Sequence, residues 1–545
     1  MSNFKYSIII LIFVLAGCGG GGGGDNNNPP SYHTISVTVS GLAGEGLILQ
    51  NNSGDDLAVS ADGFFSFATS LQNHSNYLVT ISVQPAVPEQ TCSVTNGSGT
   101  VSGSDINNVL VNCQVNPFPE LFDTFAGYSN NIYVDDTGDD INGDGSLANP
   151  YATLTKAAQL ATPGTRINMA VGNYSEGMII ADLRGTPNAP IAIVGAGNTV
   201  IDGGVGQGLR LSKPAYLVLD GVTITGAANG LNIDDGGEYS NASAAEYIII
   251  KNSFFSSSGT GNNDALKASG VNHLIIADSQ FSSVGTGSSA IDLVGCHNVV
   301  ISHNILSDSP TSGVQTKGGS SDVLIHGNRF VDMPVTGARA INAGGSTSLS
   351  LFRPPLVAYA TDPTIENFEA SRITMLSNIF ENVSNVVSFT GCVDCVFANN
   401  TIIDPGWYIV RILQETLSDG TYVFAESQNG YFLNNIVRYS TVTTPVVVNI
   451  GSNTQPATFT FDNNLWWATN QLGSYATSLT APIPPETASL YQLDPLFVNS
   501  ASDFHIGANS PVLGMGTNEV PGRIGLDFDN AAYTKPPAMG AYEGP

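Results

Sequence analysis

Positive charge is scarce in this chain: 17 Lys and Arg stand against 45 Asp and Glu in 545 residues, a net charge of -28. Between Tyr32 and Gln114 there is no Lys or Arg at all. This excludes nucleic acid as a partner, because affinity for it comes mainly from basic side chains that neutralise phosphates. It also speaks against peripheral docking on anionic lipid. An anionic glycan would be repelled unless basic groups are concentrated locally. Charge of either sign is sparse, at 11%, while apolar content is an ordinary 42%. The low hydrophobicity and dense charge of a disordered chain are therefore missing. No Gly-x-Ser-x-Gly, P-loop or dinucleotide fingerprint is present. What is abundant is glycine, 60 residues, with much Asn, Ser, Thr and Val, a composition suited to many short strands and tight turns. The length allows roughly two to four domains.

The first segment reads as a targeting signal. Lys5 precedes the apolar run Ser7 to Leu15, then Leu15-Ala16-Gly17-Cys18. The run is too short to cross a bilayer, which takes about 20 residues. Leu-Ala-Gly-Cys resembles the bacterial lipobox. The resemblance implies a lipoprotein signal peptide over 1–17, lipidation at Cys18 and membrane attachment through that lipid. Gly19, where an Asp would favour inner-membrane retention, points to an outer-membrane lipoprotein, at the cell surface or facing the periplasm. Residues 18–31, rich in Gly, Asn and Pro, form a flexible tether. Residues 32–115 alternate apolar and polar (Ile35, Val37, Val39; Leu47, Leu49; Val79, Ile81, Val83) between turn clusters. That pattern predicts a small antiparallel β-sandwich, a spacer rather than a glycan-binding module. Cys92 and Cys113, on its last two strands, are expected to form a disulfide in an exported protein. Residues 116–130 form a linker.

From 131 to 545 the chain repeats itself. An apolar strand, a polar corner, an Asn and an apolar pair recur, as in Asn298-Val299-Val300-Ile301 followed by Asn304-Ile305-Leu306. The Asn returns at 304, 328, 378, 400 and 435. Intervals of 24 and 22 residues are single coils, and longer ones imply insertions. The leucine-rich Leu-x-x-Leu-x-Leu spacing is absent, leaving a right-handed parallel β-helix. The repeated Asn is expected to be structural. It tolerates the left-handed backbone region, and its amide can bond the Asn of the next coil.

The two ends of this region carry a resemblance. Ile132-Tyr133-Val134-Asp135, Asn149-Pro150-Tyr151-Ala152-Thr153-Leu154 and Lys156-Ala157-Ala158 look like the start and capping helix of bacterial β-helix proteins. Asp494-Pro495-Leu496-Phe497 and Met539-Gly540-Ala541-Tyr542-Glu543 resemble their C-terminal segment. The region is similar to the polysaccharide lyase-like superfamily, including the pectate lyase and chondroitinase B types. This implies a carbohydrate partner, while the fold alone does not select a reaction.

Strand alternation sorts candidate chemistry onto one face. With Leu266, Ile291, Val314 and Ile341 inward, Lys267, Asp292, Gln315 and Asn342 form one outward column. Ser269, Val294, Lys317 and Gly344 form the next. Uronate lyases need a base, and a positive group or Ca²⁺ to neutralise the substrate carboxylate. Asp264-Ala265-Leu266-Lys267 resembles the Lys-bearing strand of such lyases, and Lys317 with Arg339 resembles the Lys/Arg pairs of chondroitinase B-like ones. Lys267, Lys317 and Arg339 are thus the catalytic candidates, the base being a Lys whose pKa neighbouring cations depress. For Lys267 the alternative is an ion pair with Asp292. Asp292, Gln315, Asn342, Arg353 and Arg411 are candidates for binding substrate. Two of Asp264, Asp292 and Glu415 could instead support hydrolysis. Asp140, Asn142 and Asp144 match the start of a calcium loop without its closing Glu. Asp234, Asp235 and Glu238 are further acidic candidates. Cys392-x-x-Cys395 suits local packing or a disulfide better than zinc. Trp407, Tyr408, Trp466 and Trp467 could stack on sugars or cover a core edge. The expected function is a surface polysaccharide lyase acting on a uronate-containing glycan, the alternative a non-catalytic glycan-binding or adhesive lipoprotein.

Overall fold

The computed structural model describes residues 31–544 except 43–45, 53, 84, 86–89, 116–127, 176, 227, 258, 472–481 and 523–524. Cys18, the signal peptide, nearly all of the tether and most of the linker lie outside the described residues. The chain divides into two compact units, a module drawn from residues up to 112 and a body that takes in everything from Cys113 onward.

The module has two four-stranded sheets, with Ile35–Ser40 and Leu47–Asn51 on interior strands. Ile35, Val37 and Val39 from one sheet and Leu47, Leu49 and Val79 from the other are buried, as their alternation predicts. The expected all-antiparallel pairing fails at one place: Ile106–Val115 runs parallel to Ile35–Ser40. Ile35–Ser40, near the start of the module, and its last strand are neighbours. Cys92 and Cys113 are buried and both are disulfide-bonded.

The body is nearly all β. A sheet of 23 strands and a parallel sheet of ten strands wind together as successive coils. One coil runs through His297–Ser302, turns a corner at His303 and Asn304, continues through Ile305–Ser307 and Ser312–Lys317, and returns through Gly318 and Gly319. Each strand pairs in register with its counterpart one coil on, for example Val299 with Val323 and Val314 with Ile341. Inward residues fill the interior, where Phe330, Phe380, Phe397 and Phe432 stack with centroids 4.8 to 5.4 Å apart. The short helix Leu154–Leu160 buries Leu154 and Ala157, and Thr153 caps it by accepting from Lys156 N at 3.1 Å.

The Asn corner is a continuous ladder. Asn304 Nδ2 donates to Asn328 Oδ1 at 3.0 Å, and the same bond links 328 to 378, 378 to 400, 400 to 435 and 435 to 464. Each Oδ1 also accepts the backbone N–H of the preceding ladder residue, as Asn378 does from Asn328 N at 2.9 Å. One expectation is corrected. The left-handed backbone belongs to the residue before each ladder Asn: His303, Gly327, Ser377, Asn399, Asn434 and Asn463, with φ between 52° and 65°. The ladder position is selected for its amide, and the corner conformation is made one residue earlier.

Candidate functional site

The ten-stranded sheet presents the outward columns that alternation predicts. Lys267 pairs with Asp292, Asp292 with Gln315, Gln315 with Asn342, Asn342 with Ser388, and Ser388 with Arg411. Ser269, Val294 and Lys317 are likewise in register. The sheet therefore sets these side chains one coil apart on a rigid surface.

At one end of the face a charge network closes on itself. Lys267 Nζ lies 3.1 Å from Asp264 Oδ2 and 2.8 Å from Asp292 Oδ2, and Lys317 Nζ lies 3.1 Å from Asp292 Oδ1. The ion pair between Lys267 and Asp292 is not a surface pair, since Asp292 is fully buried. Burial and then the charge of Asp292 push the Asp264 carboxyl up to about 6, against the pull of Lys267. Burial acts to raise Asp292 as well, but Lys317 and Lys267 outweigh it and hold that carboxyl below its usual value. For Lys267, burial disfavours the charge, but Asp292 and Asp264 prevail and its pKa is raised. The alternative weighed for Lys267, an ion pair with Asp292, is the one that forms, and carboxylates that raise its pKa work against its use as a base. Asp264 and Asp292 also grip the same cation instead of flanking an open groove, which removes them as a hydrolytic pair.

Further along the face two guanidinium groups lie near enough for their charges to interact. Arg339 Nη2 bonds Glu415 Oε1 at 2.7 Å. Arg411 donates to Asn449 Oδ1 at 3.1 Å and lies 5.4 Å from the Tyr408 ring centroid. Burial and then the nearby Arg339 charge lower the Arg411 pKa. Trp407, partly exposed, stacks on Tyr408 at 4.8 Å. Between these groups and Asn342, Ser388 Oγ is buried with no hydrogen-bond partner among the described residues, and so is Asn385 Oδ1 in the column of Arg339. Buried polar atoms left unpaired are rare and call for an explanation. Asn342 Oδ1 accepts from Thr390 Oγ1 at 2.8 Å.

Other candidates fall elsewhere. Arg353 does not reach this face. Its Nε and Nη2 bond Asp235 at 2.6 and 3.2 Å, its Nη1 bonds Leu351 O, and it lies 4.2 Å from the Tyr239 ring centroid. Trp466 is buried and donates to Glu486, so it belongs to the core edge. Cys392 and Cys395 form a disulfide. Glu369 went unnoticed in the sequence. It is buried and accepts from Gly318 N at 2.8 Å, Thr347 N at 2.9 Å and Thr347 Oγ1 at 2.8 Å, and Thr416 Oγ1 bonds it too. It thereby fixes the turn after Lys317. No local signal marks this Glu, since its donors come from three separate segments.

The residues do not fit calcium. Asp140 accepts from Ala152 N, Thr153 N and Thr153 Oγ1, Asn142 donates to Asp139, and Asp144 accepts from Ser146 N. Each of the three predicted ligands thus has a separate hydrogen-bond partner. Asp234 is paired with Arg210, Asp235 with Arg353 and Glu238 with Lys213. No group of three metal-ligating side chains forms among the described residues.

Residues 192–352 match the family model of the right handed beta helix region. The body is a right-handed parallel β-helix. Residues 136–179 match a family described as a protein of unknown function (DUF1565). No curated protein matches the chain significantly. Among solved structures, the pectate lyase Pel9A is 15% identical, covering 76% of this chain and 96% of its own, with a TM-score of 0.42. An alginate lyase from a Paenibacillus species is 17% identical, covering 60% and 97%, with a TM-score of 0.37. A complex of XylC with xylose is 11% identical, covering 76% and 98%, with a TM-score of 0.47.

Proposed function

We propose that the protein is a carbohydrate-active β-helix protein that takes a uronate-containing polysaccharide along the ten-stranded face and cleaves it by β-elimination. The observation that carries this is the nearness of Arg339, paired with Glu415, to Arg411, whose charge it disfavours, beside the stacked Tyr408 and Trp407. In a chain of net charge -28, this face gathers four cations, Lys267, Lys317, Arg339 and Arg411. A uronate carboxylate suits the guanidinium pair, since planar guanidinium groups bind carboxylates with good geometry. Lys317, which contacts a single carboxylate shared with Lys267, is the better base of the two lysines. Acting as base, its amine would take the proton α to the carboxylate as the bond to the glycosidic oxygen breaks and a carbon–carbon double bond forms, the leaving oxygen taking up a proton from water. No step is assigned to calcium.

The test is the ultraviolet absorbance of unsaturated uronate products. Purified protein would be incubated with pectate, alginate, ulvan and glycosaminoglycans. A rise is expected with at least one, reduced about 100-fold or more in Lys317→Ala and in Arg411→Ala, the scale of losing a base or a charge-stabilising group. A flat trace from folded protein across the panel removes the lyase reading. The second reading, glycan binding without cleavage, is favoured by the closed network of Asp264, Lys267, Asp292 and Lys317, in which neither lysine is free of a carboxylate. We also propose that lipid on Cys18 tethers the protein to the outer membrane, which would present the face to extended glycans.

A further inference from the structure

A cavity of about 350 Å³ opens where strands of the ten-stranded sheet turn back into the longer sheet. Two loops wall it: the one after Asp235, which carries Tyr239 and Ala242, and the one that brings Arg353 and Pro354. The buried Arg353–Asp235 pair joins these loops across 118 residues of sequence, so the walls are held in place before any ligand arrives. The floor comes from consecutive coils, which contribute Asn272, Asn298 and Asp322.

Its charges are committed. Arg353 is bidentate to Asp235, and Arg372 is bidentate to Asp322 at 2.6 and 2.7 Å. An entering carboxylate or phosphate would meet two carboxylates and no unpaired cation. What the cavity offers is neutral hydrogen bonding. Asn298 Nδ2 donates to Asn272 Oδ1 at 3.1 Å. An amide has two N–H donors and two carbonyl lone pairs, so this bond leaves the Asn272 side-chain N–H groups and the Asn298 Oδ1 without a protein partner among the described residues. A donor and an acceptor one coil apart, beside the aromatic wall of Tyr239, match vicinal hydroxyls, each of which both donates and accepts. The volume lies at the small end of the roughly 300–1,000 Å³ typical of ligand pockets, the size for one sugar ring.

We infer that this cavity, between Tyr239 and the Asn272–Asn298 pair, is a binding site for a single uncharged sugar residue, such as a neutral chain end or branch of a polysaccharide. The site is separate from the face carrying Lys317 and Arg411, and its occupancy does not depend on any bond being cleaved.

Saturation-transfer difference NMR on the full chain tests this, with methyl glycosides of glucose, galactose and mannose and the methyl glycosides of glucuronate and galacturonate as probes. Transfer to at least one neutral glycoside is expected, exceeding that to both uronates. It should fall at least fivefold in Asn298→Gly, which keeps the left-handed backbone at φ 55°, and in Ala242→Trp, which fills the space from an exposed position. Thermal melting would establish that each variant is folded. No transfer to any neutral glycoside, transfer that survives both substitutions, or transfer confined to the uronates overturns the assignment. Monosaccharides contain no linkage to eliminate, so a failed lyase assay and a failed binding experiment are independent results.

Discussion

At the scale of single residues, the ladder shows how one amide can hold two coils. Asn378 Oδ1 accepts from both Asn328 N and Asn328 Nδ2. Asn378→Ala would strand Asn328 N in the core, at about 1–3 kcal/mol for a buried group left unsatisfied, and would remove one acceptor of Asn328 Nδ2, which keeps Ile301 O and His326 O. We expect a loss of about 3 kcal/mol, seen as a lower midpoint in denaturant unfolding. Asp264 carries a pH dependence of definite sign. Its folded pKa, about 6, lies above the ordinary aspartate value of 3.8, so its contribution to stability is fully present below 3.8 and is lost as pH rises through about 6. Asp292, whose pKa is lowered, acts in the opposite sense and favours the fold above its unfolded value. Across the interval from 3.8 to about 6, the melting temperature of Asp264→Asn should therefore rise relative to the parent protein. A flat difference across that interval would show that Asp264 does not titrate there.

At the scale of elements, the long coil between Asn328 and Asn378 matters most. Its 50 residues hold both an ordinary coil and an insertion that carries Arg353 back to Asp235. Breaking a buried, hydrogen-bonded ion pair by removing one partner costs about 3–5 kcal/mol, because the other charge stays buried. Arg353→Ala should destabilise the body by that amount in chemical denaturation, and Arg353→Met with Asp235→Leu by clearly less. The insertion was visible in the sequence as an over-long repeat. Its docking was not, and Arg353 was expected among the substrate-binding residues. The partner lies 118 residues away, and nothing local to either residue encodes the meeting. Strands were easier to read. Inward and outward positions from Leu266 to Asn342 follow from alternation alone, because a strand has only two faces.

At the scale of the whole molecule, charge and the proposed attachment would govern what the protein meets. A chain of net charge -28 with a local gathering of Lys and Arg would, on the proposed reading, accept an acidic glycan at that place and repel it elsewhere. Tethering through Cys18 predicts that Cys18→Ser moves the protein from the membrane fraction to the soluble fraction and abolishes incorporation of labelled palmitate in growing bacteria. Unchanged fractionation and labelling would remove the lipid anchor.

The sequence by itself determined the β-helix, its repeat, its ladder and the two outward columns, because these depend on local periodicity and on a side chain recurring once per coil. Only the tertiary structure decided which outward residues touch. Arg339 meets Glu415 across 76 residues, Glu369 gathers donors from three segments, and Lys267 is gripped by Asp264 as well as Asp292. Coil length and insertions set those meetings. A one-dimensional pattern records the spacing of side chains along the chain, while their electrostatics depend on distances between coils and on burial from water.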